Sequence, residues 1–194
     1  GVSASQVEIQ SGIQFYDGIT TAEIQEILIR SASDLISLDN PNYQYVAARL
    51  LLYSIRKSLY GRLWELPHLY DHINDCIQKD VYDADILVKY SKEEIETLND
   101  IIDHDRDFIF TYAGLRQVAD KYLVQDRSSG KVYETPQFMY LLIAMTIFAE
   151  YPKETRLDYV TRYYTAISKH RINIPTPIMG GVRTPLRQFA SCVL

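Results

Sequence analysis

A cysteine beside a serine, in a stretch shaped by proline and glycine, is the group in this chain with the clearest capacity for chemistry. Residues 171–194 hold Pro175, Pro177 and Pro185, the pair Gly180-Gly181, the hydroxyls of Thr176, Thr184 and Ser191, the cations Arg183 and Arg187, and Cys192. Prolines and paired glycines predict irregular backbone here, with no helix running through it. Ile172, Ile174, Ile178, Met179 and Val182 predict that this backbone is buried. Together they describe a rigid wall presenting small donors and a thiol to something held nearby, since proline limits backbone freedom and glycine lets main chain approach a ligand. The bland reading of Cys192 is a buried strand cysteine. A redox role needs a second thiol, and Cys76, distant in the sequence, is a poor partner. A redox-active Cys192 therefore requires a partner outside these residues.

Two other groups invite a metal reading and fail its requirements. Asp103-His104-Asp105-Arg106-Asp107 has the alternating acids of a calcium loop, but Phe108 stands where the turn glycine belongs and Gly114 where the closing glutamate should be. A hydrogen-bonded structural corner is the expectation. His68 and His72 share a helical face, but no third ligand is suggested by spacing, so they read as surface or packing histidines. The 16 tyrosines are scattered over helices and read as amphipathic packing residues.

These groups must be positioned by a mostly helical chain. Residues 3–16 predict a short helix with Val7, Ile13 and Phe15 available for burial, closed by a turn at Asp17-Gly18. Thr20 and Glu23 form a capping box opening a helix whose stripe is Ile24, Ile27, Leu28, Leu35 and Ile36. Residues 42–63 predict a longer helix with Val46, Leu50 and Tyr53 on one side, and Arg56 and Lys57 near its end, where cations suit the helix dipole. A soft boundary falls at 61–67. Leu69, Ile73, Cys76 and Ile77 recur at helical spacing, and Ser91 with Glu94 caps a helix carrying Ile95, Leu98 and Ile102. Residues 111–121 read as helical, 122–125 and 131–134 as a small hairpin. Pro136 opens a core helix running to about Glu150, and Pro152 a last helix to about His170 with Leu157, Val160, Tyr164 and Ile167 inward.

Composition narrows the class. The net charge of -5 argues against broad nucleic-acid or anionic-membrane binding, and no apolar run approaches the ~20 residues of a membrane span. Two distant cysteines, with no secretory leader at Gly1, predict a reducing, cytoplasmic setting. The start at Gly1 and the close on Cys192-Val193-Leu194, which reads like the opening of a buried strand, predict that these residues are a piece of a larger protein.

Beyond composition, PTPIMGGVRTPLRQFASCVL (175–194) closely resembles the segment leading into the catalytic barrel of the large subunit of class I ribonucleotide reductase. The likeness continues through ETPQF (134–138), DKYLVQDRSSGKVYET (120–135), IDHDRDFIFTYAG (102–114), NPNYQYVAARLLLYSIRKSLYG (40–61) and QFYDGITTAEI (14–24), and so spans essentially the whole chain. The resemblance implies a partial ATP-cone over 1–61 whose first hairpin is missing, a helical domain over 62–171, and over 172–194 the lead-in to the first strands of a ten-stranded α/β barrel. The fragment itself is thus expected to be mainly α with one small hairpin. The implied reaction replaces the ribose 2'-hydroxyl of a ribonucleoside diphosphate with hydrogen by radical chemistry, drawing electrons from a pair of barrel cysteines. Cys192 matches the first of that pair. Thr176 and Ser191 match residues lining the substrate's diphosphate and ribose, and Thr21 and Lys57 match positions that contact the effector nucleotide.

The resemblance further implies ATP and dATP as effectors, thioredoxin or glutaredoxin as reductant, no cofactor bound directly by this chain, a metal-radical cofactor in a partner small subunit, and a homodimer of complete large subunits. Gln25 and Ser54 stand where some relatives carry effector-site histidines, and Ala190 replaces a common serine. The radical-bearing cysteine and the second redox cysteine would come later in the family's order, so the fragment alone is expected to be inactive. The rivals are a non-catalytic helical regulatory module and a free nucleotide-binding regulator built on the cone.

Overall fold

In a computed structural model, residues 1–186, 189 and 190 are described; Ser191, Cys192 and Arg187 lie outside them. The expected helices form, and local signals set their ends. Helix α1 (Ala4–Gly12) is capped by Ser3, and α2 (Thr21–Asp34) by the complete Thr20/Glu23 box, with Glu23 nitrogen to Thr20 Oγ1 at 3.2 Å and Thr20 nitrogen to Glu23 Oε2 at 2.8 Å. Helix α3 (Tyr43–Tyr60) stops at Gly61, whose φ of 73° is the left-handed cap that glycine adopts without steric cost.

The chain divides into two compact units, residues 1–63 with 107–118 and residues 64–106 with 119 onward. In the first, Val7, Ala32, Tyr43 and Ala47 form a core flanked by Leu28, Leu35, Val46 and Leu50. Small Ala32 and Ala47 let α2 and α3 pack closely. Burial corrects three expectations. Ile13 (78% exposed) and Phe15 (43%) lie outside the core, because α1 ends at Gly12 before it can turn them inward. In α2 the deepest apolar residues are Ile29 and Ala32, while Ile36 is exposed beyond the helix end. Arg56 does not serve the end of α3 as a solvated cation: it is buried, and its Nη2 donates to buried Asp107 at 2.9 Å.

The second unit contains α4 (Leu69–Gln78), a short α5 (Asp85–Lys89), α6 (Lys92–Asn99), the hairpin β1 (Gln125–Asp126) and β2 (Lys131–Val132), α8 (Pro136–Ile147), α9 (Lys153–Ser168) and α10 (Thr176–Gly181); α7 (Tyr112–Lys121) begins in the first unit. The strands are antiparallel, Gln125 opposite Val132. Helix α8 is apolar all round, so it can only be a core helix. Phe138 through Met145 are all buried, and α9 and α10 pack on it. Ser91 and Glu94 form a second capping box at α6, and Glu94 also accepts from Arg156 Nε of α9 at 2.8 Å. The 103–107 segment is the hydrogen-bonded corner expected: a 3-10 turn, His104–Ile109, in which Arg106 Nε donates to Asp103 Oδ2 at 3.0 Å.

The 171–194 stretch departs most from expectation. Helix α10 forms inside it, and among the described residues no strand does. Pro175 is its cap and Pro177 falls in its first turn, where an amide N–H has no intrahelical acceptor to lose. Ile172 is 41% exposed, and Ile178, Met179 and Val182 are half-buried; only Ile174 is fully inside.

Candidate functional site

The hairpin, α4 and the segment after α10 converge on a buried polar cluster built around Glu134 and Arg183, both 0% exposed by side chain. A carboxylate taken out of water must have its lone pairs filled. Those of Glu134 accept from Val124 nitrogen at 2.7 Å, from the Tyr82 hydroxyl at 2.6 Å, and from Arg183 through both Nε (2.8 Å) and Nη2. The guanidinium also donates to the backbone, Nη1 to Met179 oxygen at 2.6 Å and Nη2 to Tyr122 oxygen at 2.8 Å. Burial disfavours its charge, but Glu134 outweighs that and holds Arg183 above its usual range.

His72 and Cys76, one turn apart on α4, border this cluster. His72 stacks on Phe138 at 4.2 Å between ring centroids, and its Nε2 lies 3.0 Å from the Tyr82 hydroxyl. Tyr82's single proton is on Glu134, so His72 Nε2 carries the proton it donates to Tyr82. Burial pulls the imidazole down to about 4, against the raising effect of Glu134. The same causes, burial first and then the Glu134 charge, push the Cys76 thiol up to about 12, so Cys76 is a small apolar residue rather than a nucleophile. His68 does not join them; it caps α4 and pairs with Glu96 at 2.9 Å.

Sequence reasoning missed this cluster. Arg183, read from the sequence as part of a donor-presenting wall, is a fully buried cation. Thr184 is likewise buried, its hydroxyl donating to Gly181 oxygen at 2.7 Å. The one available signal was Glu134 set between an alternating strand and Thr135-Pro136, and nothing local distinguishes a buried glutamate from a surface one.

Of the expected site residues, Thr176 is the first of α10 and exposed, its Oγ1 3.3 Å from the Tyr122 phenol. Ser191 and Cys192 lie outside the described residues, so the grouping of the three is not seen. Thr21 begins α2, and Lys57 lies in the last turn of α3; both are exposed. Gln25 Nε2 donates to Leu50 oxygen at 3.0 Å, linking α2 to α3, which follows it across a short connection. Thr21 precedes Gln25 by one turn and Lys57 follows Leu50 by two. The Lys57 ammonium sits 5.7 Å from the Tyr53 ring centroid. Among the described residues no three His, Cys, Asp or Glu side chains converge as a metal site would require.

This helical architecture has known counterparts. Residues 108–187 match the family described as ribonucleotide reductase, all-alpha domain. Over its full length the chain is 53% identical to ribonucleoside-diphosphate reductase 1 subunit alpha of Escherichia coli (strain K12), covering 25% of that protein. It is 53% identical to the corresponding alpha subunit of Haemophilus influenzae and 46% identical to that of Enterobacteria phage T4, covering 25% and 26% of them. Along its full length the chain is similar to ribonucleotide reductase large subunits, and it spans about a quarter of the length of the curated relatives it matches.

Proposed function

We propose that this chain is the N-terminal part of a ribonucleoside-diphosphate reductase large subunit, an oxidoreductase that forms deoxyribonucleoside diphosphates in the cytoplasm. The observation that carries the reading is similarity above 50% identity along the entire chain to alpha subunits of that name. On this reading Cys192 is one of two redox cysteines and Ser191 lines the substrate beside it. Thr176 contacts the diphosphate from the exposed start of α10, a position that suits a hydroxyl donating to an anion. Thr21 and Lys57 contact an effector nucleotide such as ATP or dATP, the lysine as a point charge for phosphate. The partners are the rest of the large subunit, a second large subunit, the small subunit with its metal-radical cofactor, and a thioredoxin or glutaredoxin as reductant. In the complete enzyme, Cys192→Ser is expected to lower turnover with the dithiol reductant at least ~100-fold, the scale on which loss of a covalently acting group is felt. Unchanged turnover would return the chain to a scaffolding role.

A further inference from the structure

We infer that Tyr122 is a positioning residue for the substrate's diphosphate, acting through Thr176; the inference rests on the reading of Thr176 given above. The two hydroxyl oxygens are 3.3 Å apart. A phenol is more acidic than an aliphatic hydroxyl and is the better donor, so the Tyr122 proton belongs on Thr176 Oγ1. Thr176 must then turn its own proton away from Tyr122 toward solvent, where an anionic oxygen can accept it. A threonine already accepting one hydrogen bond is also the stronger donor for the next, because successive O–H groups polarise one another.

The pair adds little to packing, since Thr176 is exposed and Tyr122 half-buried. Its framework, by contrast, is held from within. Arg183 donates to Tyr122 oxygen on one side of the pair and to Met179 oxygen of α10 on the other. One buried guanidinium, clamped by Glu134, thus fixes both backbones from which the two hydroxyls project. Main chain tethered this way presents the threonine at little ordering cost when ligand arrives. Arg183 is fully buried, so it acts on geometry alone.

The test is a double-mutant cycle in the complete large subunit assembled with its small subunit, reading kcat and KM for a ribonucleoside diphosphate. Tyr122→Phe keeps the ring and the fold. It is expected to raise KM roughly 3- to 10-fold, the effect of one hydrogen bond, with kcat unchanged. In a Thr176→Ala background the same substitution should change nothing further. An unchanged KM for Tyr122→Phe, or an equal rise in both backgrounds, overturns the coupling while leaving Thr176 as a substrate contact. An unchanged KM for Thr176→Ala overturns the reading of Thr176 itself and this inference with it.

Discussion

His72 shows how one buried side chain makes stability depend on pH. Its imidazole is stacked on Phe138 and enclosed, so burial lowers its folded-state value from 6.5 to about 4. The folded state then binds fewer protons than the unfolded chain at any pH between those values. The contribution of neutral His72 is fully present above 6.5 and is lost as pH falls toward 4, at about 1.4 kcal/mol per pH unit and about 3 kcal/mol in all. Urea unfolding at pH 7 and pH 5 should show this slope in the native protein and a shallower one in His72→Gln. An equally steep slope in the variant would assign the acid sensitivity to carboxylates instead. Glu134 and Arg183, a few ångströms away, illustrate a different balance: the pair gains little over an apolar replacement, but it fixes the geometry of the backbones around it.

Helix ends carry the energetics of the elements. Gly61 closes α3 at φ 73°, and a methyl added there would meet nothing within 4 Å. The cost of Gly61→Ala is therefore conformational alone, about 1 kcal/mol, and should appear as a fall of several degrees in Tm. Gly61→Asn should lose less, since asparagine tolerates the left-handed region. No loss with alanine would mean that the α3 terminus rearranges. Helix α10 obeys the same end rules in the opposite sense: prolines exclude a helix from their own interior positions, yet Pro175 and Pro177 occur where a helix begins.

For the whole molecule, cysteine chemistry sets the limit. The 194 residues include two cysteines, and one of them, Cys76, is buried with its thiol pushed up to about 12. On the proposed reading the reaction uses a radical-bearing cysteine together with a dithiol pair, which needs three reactive sulfurs. The isolated chain is therefore expected to give no deoxyribonucleotide when supplied with small subunit, reductant and ribonucleoside diphosphate. Measurable turnover would show that the chemistry proceeds without the cysteines assigned to it. No helix among the described residues is long and apolar enough to cross a membrane.

The amino-acid sequence by itself determined most helix starts and stops, because capping boxes, prolines and C-cap glycines act within four residues of where they stand. It also determined that α8 is a core helix, since a segment apolar on every face has no stable place in water. The likeness to ribonucleotide reductase large subunits was legible for a different reason: long runs of residues match along the full chain. Tertiary structure alone decided which charges are inside. Arg183 meets Glu134 across 49 positions and Arg56 meets Asp107 across 51. In the sequence these arginines are indistinguishable from the solvated Arg162, whose side chain is 71% exposed. The difference arises only on folding, when removing an ion from water becomes tolerable at the one place where a counter-charge and backbone carbonyls are already arranged to receive it.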